Sequence, residues 1–503
     1  MKKLFRENKK PLIIALCGTL FFILPLVLLN FTKDDDHGRV VGGYYFNFDK
    51  RYMSTFLMKI LQFDFTPKGS NPAGFVNVDI FPAPLILGTV LLVTVTLLVV
   101  RKFKLTDNAW LLAAIALFPL YSPFIIANLL YRYDALPMLV SIIFPLLTVL
   151  TRHKNNWVNF GITFGLAMLT WLSYQAAISI FPIMILIEGV YWFNNGTLIK
   201  DGTAITRYWL ARVGGIMLSA LVFLPIIKVA GGYAAKANSF TFNPQHMLHQ
   251  GKLVIQHFIT AATEFNLVLT IVFAGILLLA LSLIIKRQLA INQSLPTYLW
   301  SLLVLVSPLL VFLVIAIPLF ATSLDVVRSY IAVSIGMLYF ILILLMAFKR
   351  KFIIWTVIAL VTTFSFSKVY AVSNALRYSN NVLTNTYENI INDLDETQVD
   401  AQTLKVHSIG DGVNKHIADS IAFKKFPTAV DFIGDQYDST TYFGVHIMKN
   451  LAYDRYVLEL APKLSKPKIK SILQHDLIIE RKRYKLYFDQ NKQILIIDWN
   501  LTK

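Results

Sequence analysis

The chain has 503 residues, of which 56% are hydrophobic and only 15% charged, with a formal net charge of +18. Soluble proteins carry about 25% charged residues, and runs such as 85–100 (LILGTVLLVTVTLLVV) and 302–320 reach the uncharged length that a bilayer crossing requires. A soluble globular enzyme is therefore excluded. The positive charge does not point to nucleic acid. Residues 371–503 hold 17 Lys/Arg against 16 Asp/Glu, whereas residues 1–370 hold 30 against 13, and in an apolar region such an excess marks cytoplasmic loops.

The N-terminal MKKLFRENKK precedes an apolar run of about 20 residues, longer than a usual signal-peptide core and without a small-residue cleavage site; it reads as a retained anchor. Cys17, the only cysteine, lies inside it and reads as an inert buried thiol. Eleven apolar segments follow one another: 11–31, 81–100, 109–130, 135–151, 157–172, 177–193, 208–229, 266–285, 299–320, 329–348 and 352–370. Alternate loops carry Lys2, Lys3, Arg6, Lys9 and Lys10; Arg101, Lys102 and Lys104; Arg152 and Lys154; Lys200 and Arg207; Lys286 and Arg287; and Lys349–Lys351. The opposite short loops hold Arg132, Arg328 or no basic residue. This alternation places the N-terminus in the cytoplasm and residues 371–503 outside, and the Lys-, Asn- and Ile-rich composition points to a bacterial cytoplasmic membrane.

The expected organisation is a multi-span membrane domain, residues 1–370, with long outer loops at 32–80 and 230–265. A small extracytoplasmic α/β domain, residues 371–503, follows. In the first loop Met53, Phe56, Leu57, Ile60 and Leu61 recur at helical spacing, which predicts an amphipathic helix in the membrane interface. Phe65–Pro82, rich in Pro and Gly, reads as a loop returning to the second span. In the tail, 374–397 reads as a polar helix, 403–411 as a strand with a turn, and 484–499 as two strands joined around Asp489–Lys492.

The residues that could carry chemistry gather on the outer face. Lys33-Asp34-Asp35-Asp36-His37-Gly38-Arg39 directly follows the first span. Three successive carboxylates repel one another, which suits a carboxyl of raised pKa, a divalent metal or a cationic ligand; as plain structure they are a hydrophilic stop. Tyr131-Arg132-Tyr133-Asp134 forms the turn between the third and fourth spans. It reads as a local ion pair or as an arginine that binds phosphate bidentately with Asp134 orienting it. Arg328, with Asp325, is an interfacial anchor or a further phosphate ligand. Tyr174 and Gln175 mark the remaining outer turn. His246, His249 and His257 lack accompanying carboxylates at ligand spacing and read as solvated loop residues. No phosphate-binding loop for a nucleotide is present, so an enzyme of this layout would draw its energy from an activated lipid. Glycosyl transfer needs a carboxylate to accept a hydroxyl proton and cations to hold the departing phosphate. Asp34–Asp36 with Arg39, Arg132 and Arg328 supply both.

Asp35-Asp36-His37-Gly38-Arg39, followed by Gly42-Gly43-Tyr44, resembles the first-loop signature of the polytopic Gtr glucosyltransferases, the serotype-converting O-antigen modifiers. Tyr131-Arg132-Tyr133-Asp134-Ala135-Leu136-Pro137-Met138 resembles that family's aromatic-Asp-x-x-Pro-Met turn. The resemblance runs over nearly the whole chain; it departs at Lys50-Arg51-Tyr52-Met53, where the family has a Gly-Arg-Pro-Leu-like helix start, so Arg51 has at most a supporting role with Asp134 and Tyr131. The resemblance implies a GT-C-type helical membrane fold, a polyprenyl-phosphate-linked sugar donor (usually glucose) and an envelope glycan acceptor such as O-antigen or teichoic acid. A donor-synthesising glycosyltransferase and a flippase would act upstream. It also implies a general base among Asp36, Asp35 and Asp34, in that order of preference. Some GT-C enzymes bind Mg or Mn and others do not, so the same triplet serves as base or metal site. A glycan polymerase or ligase, and a flippase or transporter, are the competing readings. A transporter would place ionisable groups in a membrane-centred cavity; Glu188 and Arg212 are the nearest cases, both close to cytoplasmic span ends.

Overall fold

A computed structural model describes residues 2–30, 32, 36, 46–63, 78–228, 243–320, 327–397, 403–410, 421–432, 445, 447–448, 451–452, 455–461 and 464–499. The chain is a polytopic helical membrane protein with a small sheet near its C-terminus. Its helices are α1 (Lys2–Leu29), α2 (Tyr52–Gln62), α3 (Ala83–Lys102), α4 (Ala109–Ala116), α5 (Ile126–Leu129), α6 (Ala135–Leu150), α7 (Asn156–Trp171), α8 (Ile180–Asn194), α9 (Thr197–Lys200), α10 (Gly202–Lys228), α11 (Pro244–Phe265), α12 (Leu267–Ile291), α13 (Leu295–Phe320), α14 (Val333–Ala347) and α15 (Lys351–Glu396).

Among the described residues, eight helices are long and apolar enough to cross a membrane, and they coincide with eight of the eleven expected segments. The other three differ for identifiable reasons. The 109–130 segment is not one helix: α4 stops at Ala116, a 3-10 turn spans Phe118–Tyr121, and only α5 follows. Pro119 and Pro123 each remove a backbone donor and crowd the preceding turn. Helices α6 and α7 are continuous but only 16 residues long. Pro145 is tolerated inside α6 because neighbouring helices cover the freed backbone.

Helix α2 forms where the periodicity predicts. Phe56 and Ile60 face outward, while Ser54 and Thr55 are buried. The Ser54 hydroxyl donates to the Ser173 carbonyl at 2.9 Å and Thr55 to Asn47 Oδ1 at 2.7 Å, so the polar edge holds the helix on the bundle and leaves apolar side chains for lipid. Cys17 also faces outward, contrary to the expected buried thiol: α1 packs one stripe, at Ala15, Thr19, Phe22 and Leu26, and exposes the other. Helices α7 and α10 approach closely at Gly215, where an added Cβ would lie 2.8 Å from the Phe160 carbonyl oxygen.

The expected boundary between residues 370 and 371 falls inside α15, a single 46-residue helix that joins the last span to the polar helix. Beyond it lie β1 (Thr403–Ile409), α16 (Ile421–Lys425), β2 (Val457–Leu460), α17 (Lys466–His475), β3 (Leu477–Glu480), β4 (Lys485–Asp489) and β5 (Ile494–Asp498). The sheet order is β2-β1-β5-β4-β3. Strand β1 runs parallel to β2 and β5, and β4 is antiparallel to β5 and β3. Ile472 of α17 packs with Ile494, Ile496 and Tyr487 on one face of this sheet. Asp393, near the end of α15, accepts from Arg481 and from the Tyr484 hydroxyl at 2.7 Å, which fixes the helix end to the sheet. Burial works against ionisation of Asp393, but the bonds from Arg481 and Tyr484 outweigh it and hold the carboxyl below its ordinary value.

Candidate active site

The Tyr131–Asp134 turn leads from α5 into α6 and is the centre of a polar cluster at one end of the bundle. Asp36 is fully buried, and its carboxylate accepts the backbone N–H groups of Arg132 (3.0 Å) and Tyr133 (3.2 Å). A carboxylate suits this place because backbone amides ahead of a helix start carry partial positive charge. The first loop is thereby tied to the turn across nearly a hundred residues of sequence.

Arg132 fastens the turn in two further directions. Its guanidinium bonds the Asp79 carboxylate and the Asn30 side chain, donates to the Asn30 carbonyl at 3.1 Å, and lies 4.7 Å from the Phe81 ring centre. Asp134, buried, faces Arg51 at 3.6 Å. Arg51 also approaches Asp49 at 4.0 Å and lies over the Tyr174 ring at 5.3 Å. Arg328 donates to the Tyr131 hydroxyl and lies over that ring at 5.2 Å, while its carbonyl accepts from the Asn128 amide at 3.1 Å. Tyr174 stands between the two arginine groups. Burial pushes its hydroxyl above the ordinary phenol value, opposed by the fields of Arg328 and Arg51 and by its bond to Ser329.

Arg51, Arg132, Arg328, Tyr131, Asp134 and Asp36 thus come together from four stretches of chain. Asp34, Asp35, Arg39 and Asp325 lie outside the described residues, as do His37, Gly38 and the Gly42-Gly43-Tyr44 motif. Three polar atoms in the cluster are buried without a hydrogen-bond partner: the Tyr133 hydroxyl, Arg51 Nε and Asn128 Oδ1. Burial, then Asp79 and Asp36, raise the Tyr133 phenol far above its ordinary value, so it remains a proton donor. Among the described residues no three His, Cys, Asp or Glu side chains are grouped to hold a metal ion. The one described member of the triplet, Asp36, directs both oxygens at amide N–H groups, a poor fit to a metal ligand. His246, His249 and His257 stand on helix α11 and not in a loop as expected, and His257 packs edge-on to Tyr330 at 5.4 Å.

Sequence reasoning missed Asp79, Asn30 and Phe81. Asp79 sat inside a Pro- and Gly-rich stretch read only as a return loop, and its isolated carboxylate next to an arginine-bearing turn gave no local pattern. An apolar cavity of about 330 Å³ inside the bundle is lined by Phe124, Phe258, Phe265, Phe273, Phe340 and Phe364 and, among the described residues, by no ionisable side chain other than Tyr121. Tyr330, two residues after Arg328, has its ring 4.9 Å from that of Phe124 in the cavity lining.

No protein-family model matches the chain, and no solved structure matches it. Over 237 residues it is 27% identical to an uncharacterized 55.3 kDa protein in the gtrB 5′ region of Salmonella phage P22. That match covers 46% of this chain and 45% of the phage protein.

Proposed function

We propose that the chain is a membrane glycosyltransferase that moves a sugar, glucose in the simplest case, from a polyprenyl-phosphate donor to an envelope glycan outside the cytoplasmic membrane. The observation that carries this reading is the convergence of Asp36, Asp134 and three arginines at one end of a bundle that also holds an apolar cavity. A lipid-linked phosphate needs both halves of that arrangement, and the phage relative's gtrB context points the same way.

The reaction follows from the residues present. An acceptor hydroxyl oxygen bonds to the anomeric carbon as the bond from that carbon to the phosphate oxygen breaks. The hydroxyl proton passes to a carboxylate, with Asp36 the first candidate among Asp36, Asp35 and Asp34. The polyprenyl phosphate leaves as an anion, and Arg328 and Arg51, on either side of Tyr174, stabilise its charge. Arg132, held by Asp79, Asn30 and Phe81, keeps the turn in place. Arg39 is the remaining candidate phosphate ligand. The isoprenoid chain lies in the phenylalanine-lined cavity.

Transport is less well supported. The buried pairs Glu188–Arg212 and Lys368–Glu264 are each bonded internally, and neither lines that cavity. The test is sugar release from a short-chain polyprenyl-phosphate-glucose by purified protein, with and without acceptor glycan. Asp36→Asn keeps an oxygen for the turn's amides, so loss of a general base shows as a rate drop of about 10²–10⁴ in protein that still folds. Lipid binding without any release from wild type would turn the assignment to a flippase.

A further inference from the structure

The site leaves one buried charged group unexplained. Lys368 of α15 and Glu264 of α11 are 1% and 0% exposed, and Lys368 Nζ is 2.6 Å from Glu264 Oε2. Two charges removed from solvent persist only when their remaining bonding capacity is met. Here it is met by two neighbours. Nζ donates to the Pro123 carbonyl at 3.0 Å and to the Thr428 hydroxyl at 2.6 Å, and Glu264 Oε1 accepts the Thr428 backbone N–H at 2.5 Å. Thr428 belongs to the C-terminal part, in the 3-10 turn Pro427–Phe432. The preceding Phe426 sets its ring edge-on to Phe364 of the cavity, 6.0 Å between centres.

This turn packs on α5, on α11 and on the Val327–Ala332 turn. Those contacts matter because α5 leads into Tyr131 and Arg132, and Val327–Ala332 contains Arg328. One residue from the tail is thus held by an ion pair of the membrane part, directly against the two segments that present the arginines.

We propose that Glu264 and Lys368 form a polar socket that seats the 426–429 segment, so that the C-terminal part makes one wall of the site and governs approach of the acceptor glycan. Glu264, Lys368 and Thr428 are positioning residues in this scheme, and the acceptor half of it rests on the glycosyltransferase reading.

The experiment pairs a distance measurement with kinetics. Nitroxide labels at Lys424→Cys and Gln256→Cys, in a Cys17→Ser background of the full chain, report seating of the turn by pulsed electron resonance. Glu264→Leu with Lys368→Met removes both charges together and strands neither, so the bundle is retained. This double variant is expected to broaden the distance distribution and to raise the acceptor KM roughly ten-fold. Thr428→Val, a milder change, is expected to move both readouts in the same direction by about three-fold in KM. An unchanged narrow distribution in the double variant overturns the socket. A broadened distribution with unchanged acceptor KM overturns the wall. If wild type transfers no sugar at all, the glycosyltransferase reading fails, and the distance distribution alone still decides whether the socket exists.

Discussion

The pair Glu188–Arg212 allows a quantitative test of how charges are tolerated inside this bundle. Both side chains are almost completely buried; Arg212 bonds Glu188 and Thr148 and donates to the Tyr208 hydroxyl at 3.2 Å. Glu188→Gln leaves the guanidinium in place without its counter-charge, and breaking one side of a buried pair costs about 3–5 kcal/mol. Arg212→Met strands a carboxylate, which in an apolar setting can neutralise by taking up a proton, whereas a guanidinium cannot lose one. The arginine variant should therefore be the less damaged, by about 1–2 kcal/mol. Glu188→Leu with Arg212→Met removes both charges and should fall within about 1 kcal/mol of wild type, apart from any volume mismatch. In a cycle closed with Glu188→Leu as the single variant, the two single losses together should exceed that of the double by about 3 kcal/mol or more. Trp192, whose ring centre is 5.6 Å from that of Tyr208, gives a local fluorescence reporter for denaturant unfolding in detergent. A double variant as unstable as Glu188→Gln would refute the reasoning, since it would mean that packing and not unpaired charge sets the loss.

Three further outcomes can be measured. Tyr131→Phe removes the hydroxyl that accepts from Arg328 and should raise the donor KM about ten-fold, by loss of a bond to a charged group; an unchanged donor KM would show that Arg328 needs no such support. Gly215→Ala should destabilise the α7–α10 contact by about 1–3 kcal/mol, while Gly161→Ala, with nothing within 4 Å of its added Cβ, should be near neutral; equal effects would rule out the close approach as the cause. Asp393 has a depressed pKa, so the unfolded chain binds more protons than the folded one and stability rises with pH. Its contribution is complete above the ordinary value of 3.8 and is lost as pH falls below that. Protease sensitivity of the C-terminal sheet should rise in that acid window, and Asp393→Asn should flatten the response. An acid response of equal size in that variant would remove Asp393 as its source.

What the sequence made legible follows from which signals are local. Apolar length found eight spans, and i, i+3, i+4 spacing found α2, because both depend on residues near one another. The third span was misread because its hydropathy is continuous while Pro119 and Pro123 interrupt its backbone, and apolar length alone cannot register that. Arg132, Asp134 and Arg328 stood out as charges on the positive-poor side of the expected topology. Asp79 and Asn30, which hold Arg132, are ordinary loop residues whose meaning arises only when α1 and the start of α3 meet. The socket was hidden more deeply. Lys368 resembles a residue marking the end of a span, Glu264 a helix-end carboxylate, and Thr428 carries no signal at all; only the fold brings them within 2.6 Å of Lys368 Nζ. Tyr174 was visible only as a turn residue, although it stands between Arg51 and Arg328.

Helix α15 has a mechanical consequence. Its 46 residues make a rod about 69 Å long, more than twice the roughly 30 Å hydrocarbon thickness. The stretch beyond Lys368 would act as a lever if it were attached only at the membrane. Instead the chain climbs the rod, is tied to its far end through Asp393 and Arg481, and returns to its base at Lys368 through Thr428. Rod, sheet and returning turn form a closed triangle, in which a tilt of the last span carries the sheet as a single body. The tilt of the last span, set by its packing against neighbouring helices and by its interfacial anchors, is thereby coupled to the position of the sheet through Asp393 and Thr428.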